Sequence, residues 1–370
     1  MSTGELLVVA GDTDPARGGQ ERSVLETLQA FADLGVRVTL AAPTPHDASA
    51  AAIIPLDAGR GGRAQRQRSL LEHATRVVAE HRGRIPTLSF LPVGGCDLYL
   101  PRGGLYPEAY ARSAASRPSA IGQALTTLTA RWNPVRRLLL EAESAILGGR
   151  DGPVLVALSN YVADQARRHY GLGAERVRVV RNGVALARLD PDAPADRTPY
   201  GIPEDATLIV AAATNPRLKG IPQLVEAVAS LGDTAPTTRL IIAGPSQRSA
   251  APENVHWLGP VEDLPALLRC ADLLAHPTFY DPASRVVLEA LALGVPVITT
   301  QWNGAADFIT PELGIVLDDP SSIADLREAI LVAATLPRHS PSTEQRTAIS
   351  ATRHATELWN LAKSQQDQTG

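Results

Sequence analysis

The chain is short of lysine, cysteine and aromatic residues, and each shortage excludes something. Its only lysines are Lys219 and Lys363. Arginine is therefore the default cation, and a lysine inside a motif carries more weight than usual. The two cysteines, Cys96 and Cys270, lie far apart without metal-ligand spacing. That excludes a disulfide scaffold and fits a reduced compartment. Aromatics make up 4% of the residues, so the cores should be built from Ala, Leu and Val. No apolar run approaches the roughly 20 residues of a spanning helix. The leading segment has only a five-residue apolar run, Leu6 to Ala10, with acids on both sides. This is too short for a signal-peptide core, and the expectation is a soluble cytoplasmic protein. A formal charge of −4 gives no global reason to expect nucleic acid. Phosphate loops of the G-x4-G-K-S/T type, G-x-S-x-G elbows and H-E-x-x-H pairs are missing, as is the G-x-G-x-x-G fingerprint. The eight histidines form no metal-ligand pattern, so no metal and no cofactor are expected.

What is present is alternation. With 370 residues, 44% of them hydrophobic, the chain can bury two cores. "ELLVVA" (5–10), "VRVTLAA" (36–42), "TLSFL" (87–91) and "VLVALS" (154–159) read as buried strands. Amphipathic helical patterns separate them, such as "QERSVLETLQAFADLG", which ends at Gly35. A stretch rich in Pro, Asp and Gly then reads as a linker. The alternation restarts with "TLIVAAA" (207–213), "RLIIAG" (239–244), "NVHWLG" (254–259), "DLLAHP" (272–277) and "VPVITT" (295–300). The reading is an α/β protein with two doubly wound, Rossmann-like domains facing across a cleft. The expected bounds are 1–181 for the first domain, 182–205 for the linker and 206–343 for the second. A C-terminal helix over 344–366 should complete the first domain. Ligands of such sheets sit beyond the carboxyl ends of the strands, so functional motifs should follow strands.

Four motifs do. In "DTDPARGGQERS" (12–23), Gly18 and Gly19 let the backbone approach a ligand, and the helix N-terminus behind them favours an anion; the plain alternative is a flexible loop. In "GGCDLYLPRGG" (94–104), Asp97 stands where an acid could orient or deprotonate a hydroxyl. The alternative is that Asp97 pairs with Arg102 and holds the loop. In "TNPRLKG" (214–220), Arg217 and Lys219 should point into the cleft, where a lysine can stabilise phosphate oxygens; the alternative is two solvated surface cations. In "HPTFYDPASRVVLEALALGVPVITT" (276–300), Asp281 is a good N-cap and Pro282 a good first helical residue. The amides of Ser284, Arg285 and Val286 should then form a helix N-terminus suited to a diphosphate. Glu289 falls inside an apolar run, where a carboxylate needs a partner or grips sugar hydroxyls. Capping alone explains Asp281 but not Glu289.

Two stretches are basic. Arg60 to Arg84 holds seven arginines against two glutamates, and Arg102 to Arg137 six against one. The second includes an amphipathic run with Trp132 that could rest on anionic lipid; a solvated helix face is the alternative.

Together these motifs resemble family 4 of the retaining glycosyltransferases, which have the GT-B fold. The features that match in order are the Gly-Gly turn at 18–19, the lysine of "LKG", the "NG" at 182–183 and the acid-x7-acid segment with its flanking "HP" and "LEALALGVPVITT". The turn in "GGCDLYLPRGG" is similar to that of lipopolysaccharide-core glucosyltransferases. The resemblance implies a hexosyltransferase that retains the anomeric configuration without a metal. It would move a hexose from a nucleotide-diphosphate sugar, UDP-sugar first, to a glycan or glycolipid hydroxyl. Separately, the arginine-rich first domain raises the expectation of peripheral contact with the cytoplasmic face of a membrane. The resemblance implies that Gly18, Gly19, Ser284, Arg285 and Val286 face the donor diphosphate. Lys219, helped by Arg217, would stabilise the leaving group, and Glu289 would hold the ribose. Asp281 would contact the donor sugar, and Asp97 would lie near the anomeric carbon, with Arg102 and Gly103 on the acceptor side. The family more often has Glu at position 281 and Arg where Thr214 stands. Those departures keep a non-catalytic nucleotide-sugar-binding protein open as an alternative, beside a sugar-nucleotide epimerase.

Overall fold

The computed structural model describes residues 4–14, 18–45, 49–130, 132–245 and 252–369, with side chains through 366. Residues 15–17 of the first glycine-rich motif lie outside them. Two compact units result. One gathers Met1–Ala114, Ser119–Val184 and Ser350–Gly370, and the other Ala115–Pro118 and Ala185–Ile349.

The first unit is built on strands β1 (Glu5–Val9), β2 (Arg37–Ala42), β3 (Ala52–Pro55), β4 (Thr87–Ser89), β5 (Leu98–Tyr99), β6 (Val154–Ala157) and β7 (Val177–Val179). Its helices are α1 (Gly19–Asp33), α2 (Arg63–His81), α3 (Tyr106–Ala115), α4 (Ala120–Ala130), α5 (Pro134–Gly148) and α6 (Asn160–Tyr170). All the strand pairs are parallel, in the order β3-β2-β1-β4-β5-β6-β7. Helices on both faces explain why Leu6 to Val9 are all buried rather than alternating.

The second unit repeats the plan with β8 (Leu208–Ala212), β9 (Arg239–Ala243), β10 (Val255–Gly259), β11 (Leu273–Ala275), β12 (Val297–Thr300) and β13 (Gly314–Leu317). They pair in parallel in the order β10-β9-β8-β11-β12-β13. Helices α7 (Ile221–Ala229), α8 (Leu264–Cys270), α9 (Arg285–Ala292), α10 (Ile323–Ala333) and α11 (Thr343–Ala348) accompany it. The strand order turns round between β8 and β11, which is where a doubly wound sheet opens a crevice for ligands.

Helix α12 (Ala351–Thr369) returns to the first unit and packs along α1. The crossing explains the "NG" pair. Val184 bridges Ser350, and a Cβ on Gly183 would fall 2.3 Å from the Ser350 carbonyl oxygen. Only glycine lets the outgoing and returning chains pass that closely.

Four short strands escape the sequence reading: β3, β5, β7 and β13. β5 matters most. It consists of the "LY" inside "GGCDLYLPRGG", so that motif is not one turn but a strand with a residue of interest at each end.

Candidate active site

The second unit brings three loops together, each following one of three adjacent strands. The loop after β8 carries Lys219, the loop after β11 carries Asp281, and the loop after β12 carries Asn303. The first two are tied by their backbones. Phe279 N donates to Leu218 O at 2.8 Å, and Thr278 Oγ1 donates to the same oxygen at 3.1 Å. Gly220 makes the approach possible. Its φ is +68°, and a Cβ there would sit 2.0 Å from Pro277 O. The glycine of "LKG" is thus required both by its torsion and by its neighbour.

This contact puts Lys219 on Asp281. Lys219 Nζ lies 2.6 Å from Asp281 Oδ2 and also donates to Tyr280 O at 3.2 Å. Both side chains are mostly buried, at 18% and 15% exposed. Burial pushes the carboxyl pKa of Asp281 up, but the Lys219 charge and contact with His276 outweigh it, leaving it well below the usual carboxylate range. Asp281 is therefore ionised at neutral pH. Arg217, two residues from Lys219, is exposed and takes no part in this ion pair.

The helix start differs from the sequence reading. Helix α9 begins at Arg285 with Ser284 as N-cap, so Asp281 precedes the cap by three residues. Asp281 Oδ1 accepts a bond from Ala283 N at 3.2 Å, which shapes the loop rather than capping the helix. Its backbone is fixed by Asp281 N donating to Trp302 O and Gly304 N donating to Asp281 O, each at 2.9 Å. The Ser284 amide expected for a diphosphate donates instead to Asn303 Oδ1 at 3.2 Å. Asn303 is buried. Its Oδ1 also accepts from Ala305 N at 3.0 Å, and its Nδ2 donates to Thr299 Oγ1 at 2.9 Å. Val286, second in the helix, has no acceptor four residues back within it, as for any first-turn amide.

Glu289 lies one turn into α9, 8% exposed. The partner its burial demands is Arg285, whose Nη2 is 3.1 Å from Glu289 Oε1. Val287 and Leu288, both fully buried, anchor the same helix with roughly 1.5–3 kcal/mol each of apolar burial.

In the first unit, Gly18 is the N-cap of α1 and Gly19 its first residue, at the carboxyl edge of the sheet. Arg102 and Gly103 follow β5 at that same edge. Arg102 is buried; it donates to Ser23 Oγ and, at 2.6 Å, to Thr27 Oγ1 on α1, and its guanidinium lies 4.7 Å from the Phe90 ring centroid. Gly103 faces the side chain of Gln20.

Asp97 is a correction. It precedes β5, so it sits at the amino edge of the sheet, opposite the ligand edge. Its Oδ2 accepts from both the amide and the hydroxyl of Thr87, each at 2.7 Å, and its own amide donates to Thr87 Oγ1 at 2.8 Å. Neither the catalytic role nor the Arg102 pairing holds, because β5 separates the two residues. Sequence reasoning had no strand there to orient them.

His276 and Asn303 are the site residues that the motifs passed over. His276 opens the fourth motif, in "HP", but has no role in the sequence reading, and Asn303 falls just past the motif's end, in "WNG". Among the described residues no cluster of three or more His, Cys, Asp or Glu side chains is arranged to hold a metal ion.

Residues 192–351, which span all these second-unit loops, match the family model described as glycosyl transferases group 1. This part of the chain is thus similar to the group 1 glycosyltransferase domain. It is 28% identical to the lipopolysaccharide glucosyltransferase WaaG of Escherichia coli (strain K12) over 286 residues, covering 73% of this chain and 71% of WaaG. It is 30% identical to a D-inositol 3-phosphate glycosyltransferase of Streptomyces bingchenggensis, covering 56% of this chain but 46% of that protein. The chain thus spans about half the length of that second relative. Among solved structures, WaaG superposes with a TM-score of 0.72 at 22% identity over 98% of both chains. Anabaena HepE in complex with UDP-glucose does so at 0.59 and 16%, over 98% of this chain and 97% of that one. The fold is that of the GT-B glycosyltransferases, with the two parallel-sheet units described above.

Proposed function

We propose that this glycosyltransferase moves a hexose from a nucleotide-diphosphate sugar, UDP-sugar first, to a hydroxyl of a glycan or glycolipid, with retention of configuration and without a metal. The Lys219–Asp281 pair carries the reading. It sets a cation and an ionised acid side by side at the turning point of the second sheet, next to the start of α9. Breaking a glycosyl–diphosphate bond leaves negative charge on the diphosphate, and a fixed cation lowers that barrier. Lys219 supplies the cation, Val286 an amide, and Asp281 an acceptor for a sugar hydroxyl. Glu289, oriented by Arg285, receives the ribose hydroxyls. The likeness to WaaG, a glycosyltransferase involved in lipopolysaccharide biosynthesis, favours a lipopolysaccharide-core acceptor.

Incubation with UDP-, GDP- and ADP-hexoses, followed by NMR of the anomeric proton in the product, tests the proposal. Transfer from a UDP-hexose with retained configuration is expected. No binding of any donor at millimolar concentration overturns it.

The same reading includes docking to an anionic membrane surface. Among the described residues no helix is long and apolar enough to cross a membrane. Helix α4, however, exposes Ile121, Leu125 and Leu128, and Trp132 just beyond it is 82% exposed. Within α4, at positions i, i+4 and i+7, Ile121, Leu125 and Leu128 form one apolar stripe, and Arg137 stands exposed at the start of the next helix. Such a stripe suits the boundary between head groups and acyl chains.

A further inference from the structure

We propose that His276 is a positioning residue for sugar transfer, holding Asp281 in place through its Nε2–H when Lys219 turns to the donor diphosphate. The inference rests on the function proposed above and deepens it.

Lys219 and a bound sugar compete for the same oxygen. Asp281 Oδ2 accepts the short bond from Lys219 Nζ, and Lys219 cannot give full charge to a diphosphate while it makes that bond. Once it leaves, an ionised carboxylate in a mostly buried loop needs another donor. His276 Nε2 is already aimed at that oxygen, 3.4 Å away. That is longer than an ordinary N–H to oxygen bond of about 2.7–3.2 Å, as expected while lysine dominates the oxygen.

The ring cannot drift. His276 is 2% exposed and directly follows β11. Its amide donates to Ile298 O at 2.8 Å, and its carbonyl accepts from Thr299 Oγ1 at 2.9 Å and Thr278 N at 2.8 Å. The tautomer follows from the partners. An ionised Asp281 only accepts, so Nε2 must carry the proton. Nδ1 is then bare, and it is buried without a hydrogen-bond partner. A bare nitrogen is tolerable there, whereas a second N–H would be stranded. Geometry thus selects the neutral ring with its proton on the Asp281 side, and burial, which pushes the imidazole pKa down, agrees.

Substitutions at His276 are tested by steady-state transfer with UDP-hexose and by thermal melting. His276→Leu removes the donor and should lower kcat about 10-fold or more, with a smaller change in KM. His276→Gln places an amide N–H near Nε2 and should recover most of the loss. His276→Asn, too short to reach Asp281, should not, and this Gln-against-Asn contrast stands even if the Leu variant fails to fold. In an Asp281→Asn background, His276→Leu should cost little more, because residues acting through one contact are not additive. Equal activity of Gln and Asn variants, or a full additional loss in the Asp281→Asn background, overturns the role of His276. A wild-type protein that transfers from no donor overturns the proposed function itself, and the two failures are told apart by the wild-type measurement.

Discussion

Lys219 and Asp281, 62 positions apart in sequence, meet at 2.6 Å because β8 and β11 are neighbours at the turning point of the second sheet. The pair links stability to chemistry. Each residue is expected to act on the donor, and each neutralises the other in a mostly buried loop.

Lys219→Ala therefore has two consequences. The rate of transfer should fall by about 10²–10³-fold, the usual cost of removing a group aimed at developing charge. Stability should fall too, by up to about 3–5 kcal/mol, because Asp281 is left buried with its cation gone. Lys219→Ala combined with Asp281→Ala should regain part of the stability and none of the activity. Urea unfolding and initial rates separate the two effects, and full transfer by Lys219→Ala would sink the catalytic assignment.

Asp97→Ala should show the reverse pattern. Its carboxylate closes the amino edge of the first sheet against Thr87. Losing those bonds costs about 1–3 kcal/mol, while kcat should stay within about threefold of wild type. A large kcat loss without destabilisation would return Asp97 to the chemistry.

Gly220→Ala adds a Cβ 2.0 Å from Pro277 O at a φ of +68°. The left-handed torsion alone costs roughly 1–2 kcal/mol, and the clash must push the two loops apart. Melting temperature and kcat should fall together, because Lys219 is the adjacent residue. An unchanged melting temperature would show that the loops do not approach as described.

Glu143 gives the first unit a pH dependence. It is fully buried on α5, accepting from Tyr99 Oη at 2.8 Å, Tyr170 Oη at 2.7 Å and Tyr106 N at 2.9 Å. Burial raises its pKa from 4.5 to about 6 despite those bonds. The folded state thus holds this proton more tightly than the unfolded chain. Its contribution to stability is complete well below pH 4.5 and is lost as pH rises through about 6, by about 2 kcal/mol in all. Urea unfolding of wild type and Glu143→Gln at pH 4.5 and 6.5 isolates this contribution. Over that window the wild type should lose about 1.5 kcal/mol more than the variant, and parallel pH curves would refute it.

Leu125→Asp with Leu128→Asp places charge on the apolar stripe of α4. Flotation with anionic vesicles at low salt should show wild type bound and the double variant largely free. Donor turnover in solution should be unchanged, since α4 supplies no group to the site. Equal flotation of both proteins would remove the membrane surface from the proposed function.

The linear chain by itself determined the architecture. Buried runs such as "ELLVVA" and "TLIVAAA" are long enough to mark strands, and the helical patterns between them force parallel pairing. It also marked Lys219, since lysine is so scarce, and Glu289, since an acid in an apolar helix needs a partner. Tertiary structure decided the rest. A two-residue strand such as β5 has no periodicity to detect, yet it determines that Asp97 faces away from the ligand edge and Arg102 towards it. The Lys219–Asp281–His276 contact depends on which strands are adjacent, and the occupation of the Ser284 amide depends on Asn303 arriving from a third loop. Hydrophobic pattern is a local property that the chain carries residue by residue. The partner of a buried charge is whichever group the packed sheet brings within about 3 Å, and only the folded chain brings it there.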